Sequence, residues 1–237
     1  MTAALELRDV DAGYGVFRAL FGVSLTVQPG EAVALVGPNG AGKTTIARVA
    51  SGLIAPSAGA VVVDGTDLSG KATHAFAKAG VAHAPEGRSV FATLSVEENL
   101  TLSIRRIRGR SGVRSGLDQA YEMFPRLQER RTQLAGTLSG GEQRMLALAR
   151  VLVDAPKLLI ADELSLGLAP LVVQQTYESL ATLREAGVAL LVIEQHVSHA
   201  LKLCDRVVVM EHGDVSWTGP SEDALERVQQ VLHVPTA

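Results

Sequence analysis

Gly37-Pro38-Asn39-Gly40-Ala41-Gly42-Lys43-Thr44 decides the fold. It follows the apolar run Ala32–Val36 and opens a stretch of helical spacing from Lys43 to Leu53. The run reads as a buried strand that ends at a Gly-Pro turn. The order of residues between strand and helix matches G-x-x-x-x-G-K-[ST], a loop that cradles phosphate. A triphosphate needs many donors packed around it. Glycines let the backbone curl so that successive N–H groups point inward, and the following helix adds the positive end of its dipole. In this reading Lys43 reaches the outer phosphates, the Thr44 hydroxyl binds Mg²⁺, and Thr45 is counted with the loop. A glycine-rich turn without a ligand would also fit eight residues alone; the flanking strand and helix argue against it.

Working outward, Leu158–Ala161, Val188–Ile193 and Val207–Met210 are further short apolar runs. A helix is expected over Gly141–Val153, with Met145, Leu148, Ala149 and Leu152 on one face and Pro156 as its stop. Alternation of strand and helix favours a parallel sheet covered on both faces. Near the N-terminus, Leu5–Val10, Ser24–Gln28 and Ala60–Val63 read as strands with turns at Gln28-Pro29-Gly30 and Asp64-Gly65. The expected fold is α/β: a phosphate-loop nucleoside triphosphatase with a parallel core, an N-terminal antiparallel β portion and an inserted helical lobe around Leu94–Leu134. The expected division is a core of residues 1–85 and 150–237 and a helical subdomain of 86–149, within one domain of 237 residues.

Composition sets bounds. The chain is 47% hydrophobic, enough for a full core at this length. Its net charge of −3 gives no whole-molecule argument for nucleic acid as a partner. A single cysteine, Cys204, excludes an internal disulfide and suits a reducing compartment. No run of apolar residues is long enough to span a bilayer, and MTAALELRDV lacks the pattern of a secretory signal. The six histidines show no metal-ligand spacing.

Leu158-Leu159-Ile160-Ala161-Asp162-Glu163 places two carboxylates at the end of an apolar strand. Buried carboxylates are costly, so such a pair faces a cleft or a cation. Beside a phosphate loop, Asp162 is the candidate Mg²⁺ holder and Glu163 the candidate that orients or deprotonates the attacking water. Shortly before it stands Leu138-Ser139-Gly140-Gly141-Glu142-Gln143. Ser139 suits an N-cap, and the helix it opens points its positive end at an anion.

This Leu-Ser-Gly-Gly-Glu-Gln run, in this order relative to the other two motifs, resembles the signature of ABC ATPases. The resemblance extends over nearly the whole chain. It implies a head-to-tail dimer in which Ser139 and the Gly140 and Gly141 amides contact the γ-phosphate of ATP held by the other subunit. It also implies that Tyr14 stacks on adenine and that Ser165-Leu166-Gly167-Leu168-Ala169 crosses the dimer interface.

Three positions depart from the family pattern. Glu86, in Pro85-Glu86-Gly87-Arg88, replaces the usual metal-side glutamine. The γ-phosphate sensor position, ten residues before Asp205 of Leu203-Cys204-Asp205, holds Gln195, with His196 one place late. Leu164 replaces a proline after Glu163, a change expected to alter loop stiffness only. Pro-Glu-Gly-Arg, Val96-Glu97-Glu98-Asn99-Leu100, Ser-Leu-Gly-Leu-Ala-Pro and Glu194-Gln195 together resemble the shorter ATPase of branched-chain amino-acid importers; amide and urea importers share much of the pattern. The resemblance implies integral-membrane permease subunits as partners, met through Glu86–Leu100. It implies a second ATPase subunit or a second copy, an external solute-binding protein acting indirectly, and a peripheral place on the cytoplasmic face of the cell membrane. A soluble ABC ATPase acting on nucleic acid, or a nucleotide-binding regulator with little turnover, are the rival classes. The former usually carries tandem cassettes or long arms, and Glu163 argues against the latter.

The segment Arg105–Arg114 is locally basic. It is expected to be a solvated loop between two helices, with contact to anionic lipid headgroups as the sharper alternative.

Overall fold

The structure, a computed structural model, describes residues 2–85, 90–153, 156–166, 169–194 and 197–232. In chain order the strands and helices begin with β1 (Leu5–Tyr14), β2 (Phe17–Val27), β3 (Ala32–Val36), α1 (Lys43–Ala50), β4 (Ala58–Val63), β5 (Thr66–Asp67), α2 (Thr73–Lys78) and β6 (Val81–Ala84). The helices α3 (Val96–Arg108), α4 (Val113–Met123), α5 (Pro125–Glu129) and α6 (Gly140–Leu152) follow. The chain then runs through β7 (Leu158–Asp162), α7 (Pro170–Glu185), β8 (Ala189–Ile193), α8 (Val197–Leu203), β9 (Arg206–Glu211), β10 (Asp214–Pro220) and α9 (Ala224–Leu232). Two compact units result: residues 1–83, 157–163 and 180–237, and residues 84–156 and 164–179.

The first unit is built on two sheets. One is antiparallel, in the order β2-β1-β4-β5. The other runs β10-β9-β3-β8-β7-β6, parallel across β9, β3, β8 and β7, with β10 antiparallel on its edge. Every residue of β3, β7 and β8 is buried, which is why these strands are uninterrupted apolar runs rather than alternating ones. The edge strand β10 alternates half-buried and exposed. Leu7, Val23 and Val61 of the first sheet and Val33, Leu35, Ile160 and Leu191 of the second form one core with Ile46, Ala47 and Val49 of α1. The antiparallel portion and the parallel core expected from sequence are both present.

Strand edges differ from expectation where glycine sits inside a strand. β1 continues to Tyr14 and β2 starts at Phe17, through Gly13 and Gly22. A bulge at Asp9, with φ of 47°, lets β1 change register, and Gly59 opposite comes so close that a Cβ would lie 2.3 Å from the Asp9 carbonyl oxygen.

In the second unit α3 and α6 each have a chemical reason to start where they do. α3 opens on a capping box: Ser95 Oγ accepts from Glu98 N, and Glu98 Oε2 accepts from Ser95 N at 2.7 Å. Asn99, fully buried, accepts from Phe91 N at 2.8 Å and donates to the Phe91 and Ser95 carbonyls, tying the preceding turn to the helix. The four residues expected on one face of α6 are all buried. The basic segment differs from expectation: Arg105 to Arg108 continue α3, and only the turn at residues 109–112 is loop. Helical spacing persists because Ile104 packs on α4, at Gly116, and holds the helix past the charge run.

Among the described residues no helix is long and apolar enough to cross a membrane.

Candidate functional site

The C-terminal ends of three adjacent strands, β3, β8 and β7, carry the site of the first unit. In open parallel sheets, ligands bind in the crevice outside these strand ends. From β3 the chain enters the glycine loop. Gly37 is buried against the β9 backbone, and a Cβ there would lie 2.4 Å from the Met210 carbonyl oxygen. Pro38, Asn39 and Gly40 form the exposed crest of the loop. Gly42 holds the N-cap position of α1 at φ 101°, where a side chain would meet Leu20 Cδ2 at 2.8 Å.

The loop is gripped from both sides. Gly213, in the turn between β9 and β10, donates its N–H to the Ala41 carbonyl at 3.1 Å, and Phe21 N donates to the Gly213 carbonyl at 2.9 Å. Lys43 is buried, and its Nζ donates to the Gly37 carbonyl at 2.8 Å and the Pro38 carbonyl at 3.0 Å. Burial lowers the Lys43 pKa below the usual lysine range, while Glu163 and then Asp162 oppose that shift and favour the ammonium form. Thr44 is half-buried and Thr45 buried.

Tyr14 stands beside the first turns of α1. Its hydroxyl lies 3.5 Å from Thr45 Oγ1 and accepts from Arg48 Nη1 at 3.0 Å, while its ring lies under the Arg48 guanidinium and remains 42% exposed. A partly exposed aromatic face thus stands beside the first turns of the helix that follows the glycine loop.

At the end of β7, Asp162 and Glu163 are both buried, and Glu163 takes the left-handed backbone conformation, φ 49°. That conformation is uncommon for a residue with a side chain. It turns the chain sharply at the strand end while Glu163 N still donates to the Ile193 carbonyl at 2.9 Å. A third acid stands on the strand between: Glu194, 2% exposed, follows β8 and donates its N–H to the Leu35 carbonyl. Sequence reasoning named it only as part of the Glu194-Gln195 pattern and not as an acid of the site. The signal was available, since an apolar run closing on a carboxylate is the same pattern that identified Asp162.

In the second unit Ser139 is the N-cap of α6. Its Oγ accepts from Glu142 N at 3.3 Å and its own N–H is capped by Glu142 Oε2 at 2.9 Å. Ser139 is exposed, and Gly140 and Gly141 form the first turn behind it. Gln143 is buried and donates to the Ala135 carbonyl at 2.9 Å, fixing the start of the helix. Leu164 is buried as well, so the residue standing where a proline is usual adds apolar packing and not stiffness alone. Glu86 and Gln195, with His196, Gly167 and Leu168, lie outside the described residues.

The chemistry of the donors suits a metal-nucleotide ligand. A Thr hydroxyl and an Asp carboxylate are hard oxygen ligands of the kind Mg²⁺ takes, and a glycine cradle that side chains would fill leaves room for phosphate oxygens.

A buried lysine in a glycine loop at the C-terminal end of an inner parallel strand, with acids on the neighbouring strand ends, defines the class of phosphate-loop nucleotide hydrolases. Residues 20–165 match the ABC transporter family. The chain is 43% identical to the high-affinity branched-chain amino acid transport ATP-binding protein BraG of Pseudomonas aeruginosa, over 89% of this chain and 90% of that one. It is 34% identical to the probable branched-chain amino acid transport ATP-binding protein LivF of Archaeoglobus fulgidus, over 94% of both. A solved ATP-binding subunit of an ABC transporter superposes with a TM-score of 0.83 at 28% identity, covering 99% of this chain and 95% of that one. The chain belongs to the ABC transporter family as one of its ATP-binding, ATP-hydrolysing subunits.

Proposed function

We propose that this subunit powers the uptake of branched-chain amino acids. The observation that carries the reading is the 43% identity to BraG across nine-tenths of both chains, supported by the similarity to LivF. The pattern of Glu86, Glu194-Gln195 and the Ser165–Pro170 segment points the same way.

ATP is taken as the substrate. Lys43 exchanges two neutral carbonyl acceptors for charged phosphate oxygens, a stronger bond, while the loop amides and the dipole of α1 meet the rest of the tail. Tyr14 stacks on the base. Glu163 accepts a proton from the water that attacks the γ-phosphorus in line, and the backbone turn at its own position aims it. Thr44, Asp162 and Glu86 would hold Mg²⁺, which neutralises charge developing on the phosphate oxygens. Gln195 senses the γ-phosphate. Ser139, with the Gly140 and Gly141 amides, meets the tail bound by a second ATPase, either another copy or a related chain. Residues 1–85 and 150–237 act as the gripping core, and 86–149 as the lobe that presents the signature. ATP favours the closed pair by contacts that exist only there, so hydrolysis reopens it.

In this reading the subunit sits on the cytoplasmic face of the membrane, held by integral permease subunits that Glu86–Leu100 engages, with an external solute-binding protein delivering cargo. The test is transport by the reconstituted complex in vesicles. ATP-dependent leucine uptake that disappears with Glu163→Gln supports the reading; uptake of urea or a short amide in place of leucine overturns the solute assignment.

A further inference from the structure

The nucleotide chemistry leaves one strongly charged feature unused, at the tip of the α3–α4 hairpin. Arg105, Arg106, Arg108, Arg110 and Arg114 fall within ten residues, and no acidic residue stands between Glu98 and Asp118. In a chain of net charge −3 this is a local reversal of sign.

Packing gathers the arginines. Gly116 lies so close to α3 that a Cβ would come within 2.7 Å of Ile104 Cγ2, and a Cβ on Gly112 within 2.4 Å of Arg108 Cβ. The chain therefore doubles back over the turn at 109–112, and Arg105, Arg106, Arg110 and Arg114 are exposed on that end. Arg108 instead pins the hairpin, donating to Gln119 Oε1 at 2.8 Å and to the Val153 carbonyl. Among the described residues no ion pair engages Arg105, Arg110 or Arg114.

Helix stability does not account for the cluster. Cations in the last turn of α3 suit the helix dipole, but Arg114 stands in the first turn of α4, where a cation opposes it. Four like charges on one tip also repel each other. One turn before Arg105 and Arg106, on the same helix face, Leu102 is 48% exposed. From Val96 to Ala120 there is no aromatic residue, so the stacking platform of a nucleic-acid site is missing.

We propose that this tip binds a membrane surface rich in anionic phospholipid. The guanidinium forks pair with lipid phosphates and Leu102 supplies the apolar contact. The subunit belongs to a family of transporters and, among the described residues, has no membrane-crossing helix of its own, so such a contact adds to whatever the permease provides. Each basic residue near an anionic surface strengthens partitioning by about fivefold. The inference holds whatever solute is carried.

The experiment is cosedimentation of the full chain with vesicles of phosphatidylcholine alone and of phosphatidylcholine with phosphatidylglycerol, the latter about one-third of the lipid. The expected result is binding only to the anionic vesicles, weakened by added salt. The combined variant Arg105→Gln, Arg110→Gln and Arg114→Gln is expected to bind about a hundredfold more weakly, with ATP hydrolysis and thermal midpoint unchanged. Lysine at the same three positions is expected to retain salt-sensitive binding. Equal binding to neutral vesicles, undiminished binding by the glutamine variant, or tighter arginine-dependent binding of a single-stranded RNA would each overturn the proposal.

Discussion

Lys43 Nζ donates to the Gly37 carbonyl at 2.8 Å, so the lysine folds back over the loop that bears it. The ammonium is buried, which lowers its pKa against the opposing pull of Glu163 and Asp162, and it is satisfied by carbonyls until a phosphate displaces them. Lys43→Met keeps the apolar stem and removes the charge. A hydrogen bond to a charged group is worth about 1.5–3 kcal/mol, so ATP affinity is expected to fall by roughly ten- to a hundredfold. Isothermal titration with a slowly hydrolysed analogue reads this directly, and unchanged affinity would remove Lys43 from the site.

Gly213 acts on the same loop from behind. Its N–H holds the Ala41 carbonyl, its φ is 85°, and a Cβ would lie 2.4 Å from the Ala19 carbonyl oxygen. Gly213→Ala is therefore strained in its backbone and crowded in its surroundings, at a cost of about 2 kcal/mol or more. Because the displaced atoms support the cradle, ATP should rescue the variant poorly. In wild type, ATP at a hundredfold excess over Kd adds about 2.7 kcal/mol of stability. Urea titrations with and without the nucleotide are expected to show a clearly smaller increment in the variant, together with a raised KM.

Glu163→Gln tests the chemical step. The amide preserves shape but cannot accept a proton from water. Hydrolysis is expected to fall by about a hundredfold or more while nucleotide affinity stays within a few-fold. Single-turnover phosphate release measures the first and titration the second. A variant that still hydrolyses at half the wild-type rate would return the role to another residue, with Glu194, buried at the end of the neighbouring strand, the next candidate.

Much of this was legible in the residues because each motif carries its own geometry. A lysine after a glycine loop and an acid closing an apolar strand need little tertiary context, and β3 runs from Ala32 to Val36 as the pattern indicates. The start of β2 was hidden because Gly22 inside it resembles a turn, and its true edge at Phe17 depends on pairing with Tyr14 across the hairpin. β6 is only four residues long and includes His83, too short for periodicity to report. The grip of Gly213 on Ala41 joins positions far apart in sequence, so no local signal could announce it.

His83 links that short strand to the foot of α1, its Nδ1 lying 3.2 Å from Ser51 Oγ. Burial, then the charge of Arg48, lowers its pKa from 6.5 to about 4. Between those values the unfolded chain holds more protons than the folded one, so stability rises with pH through this window. Conversely, His83 withdraws up to about 3 kcal/mol as pH falls from 6.5 toward 4. His83→Gln, which can keep a bond to Ser51, is expected to lose that part of the slope. Urea midpoints compared near pH 7 and near pH 4.5 measure it; parallel slopes in the two proteins would contradict the assignment.

Ser139 has two separable duties: it caps α6, and in the proposed cycle it meets phosphate bound by a second subunit. Ser139→Ala alone cannot distinguish them, because losing the cap costs about 1 kcal/mol. Ser139→Asp can. Aspartate caps a helix as well as serine does, and its charge suits the helix dipole, so stability should be preserved or slightly raised. The same charge repels a phosphate tail at contact distance. The expected outcome is an intact thermal midpoint and retained ATP binding by the isolated chain, with hydrolysis by the assembled complex reduced at least tenfold. If Ser139→Asp hydrolyses normally in the complex, the signature serves only to start its helix, and the contact across subunits must be sought elsewhere.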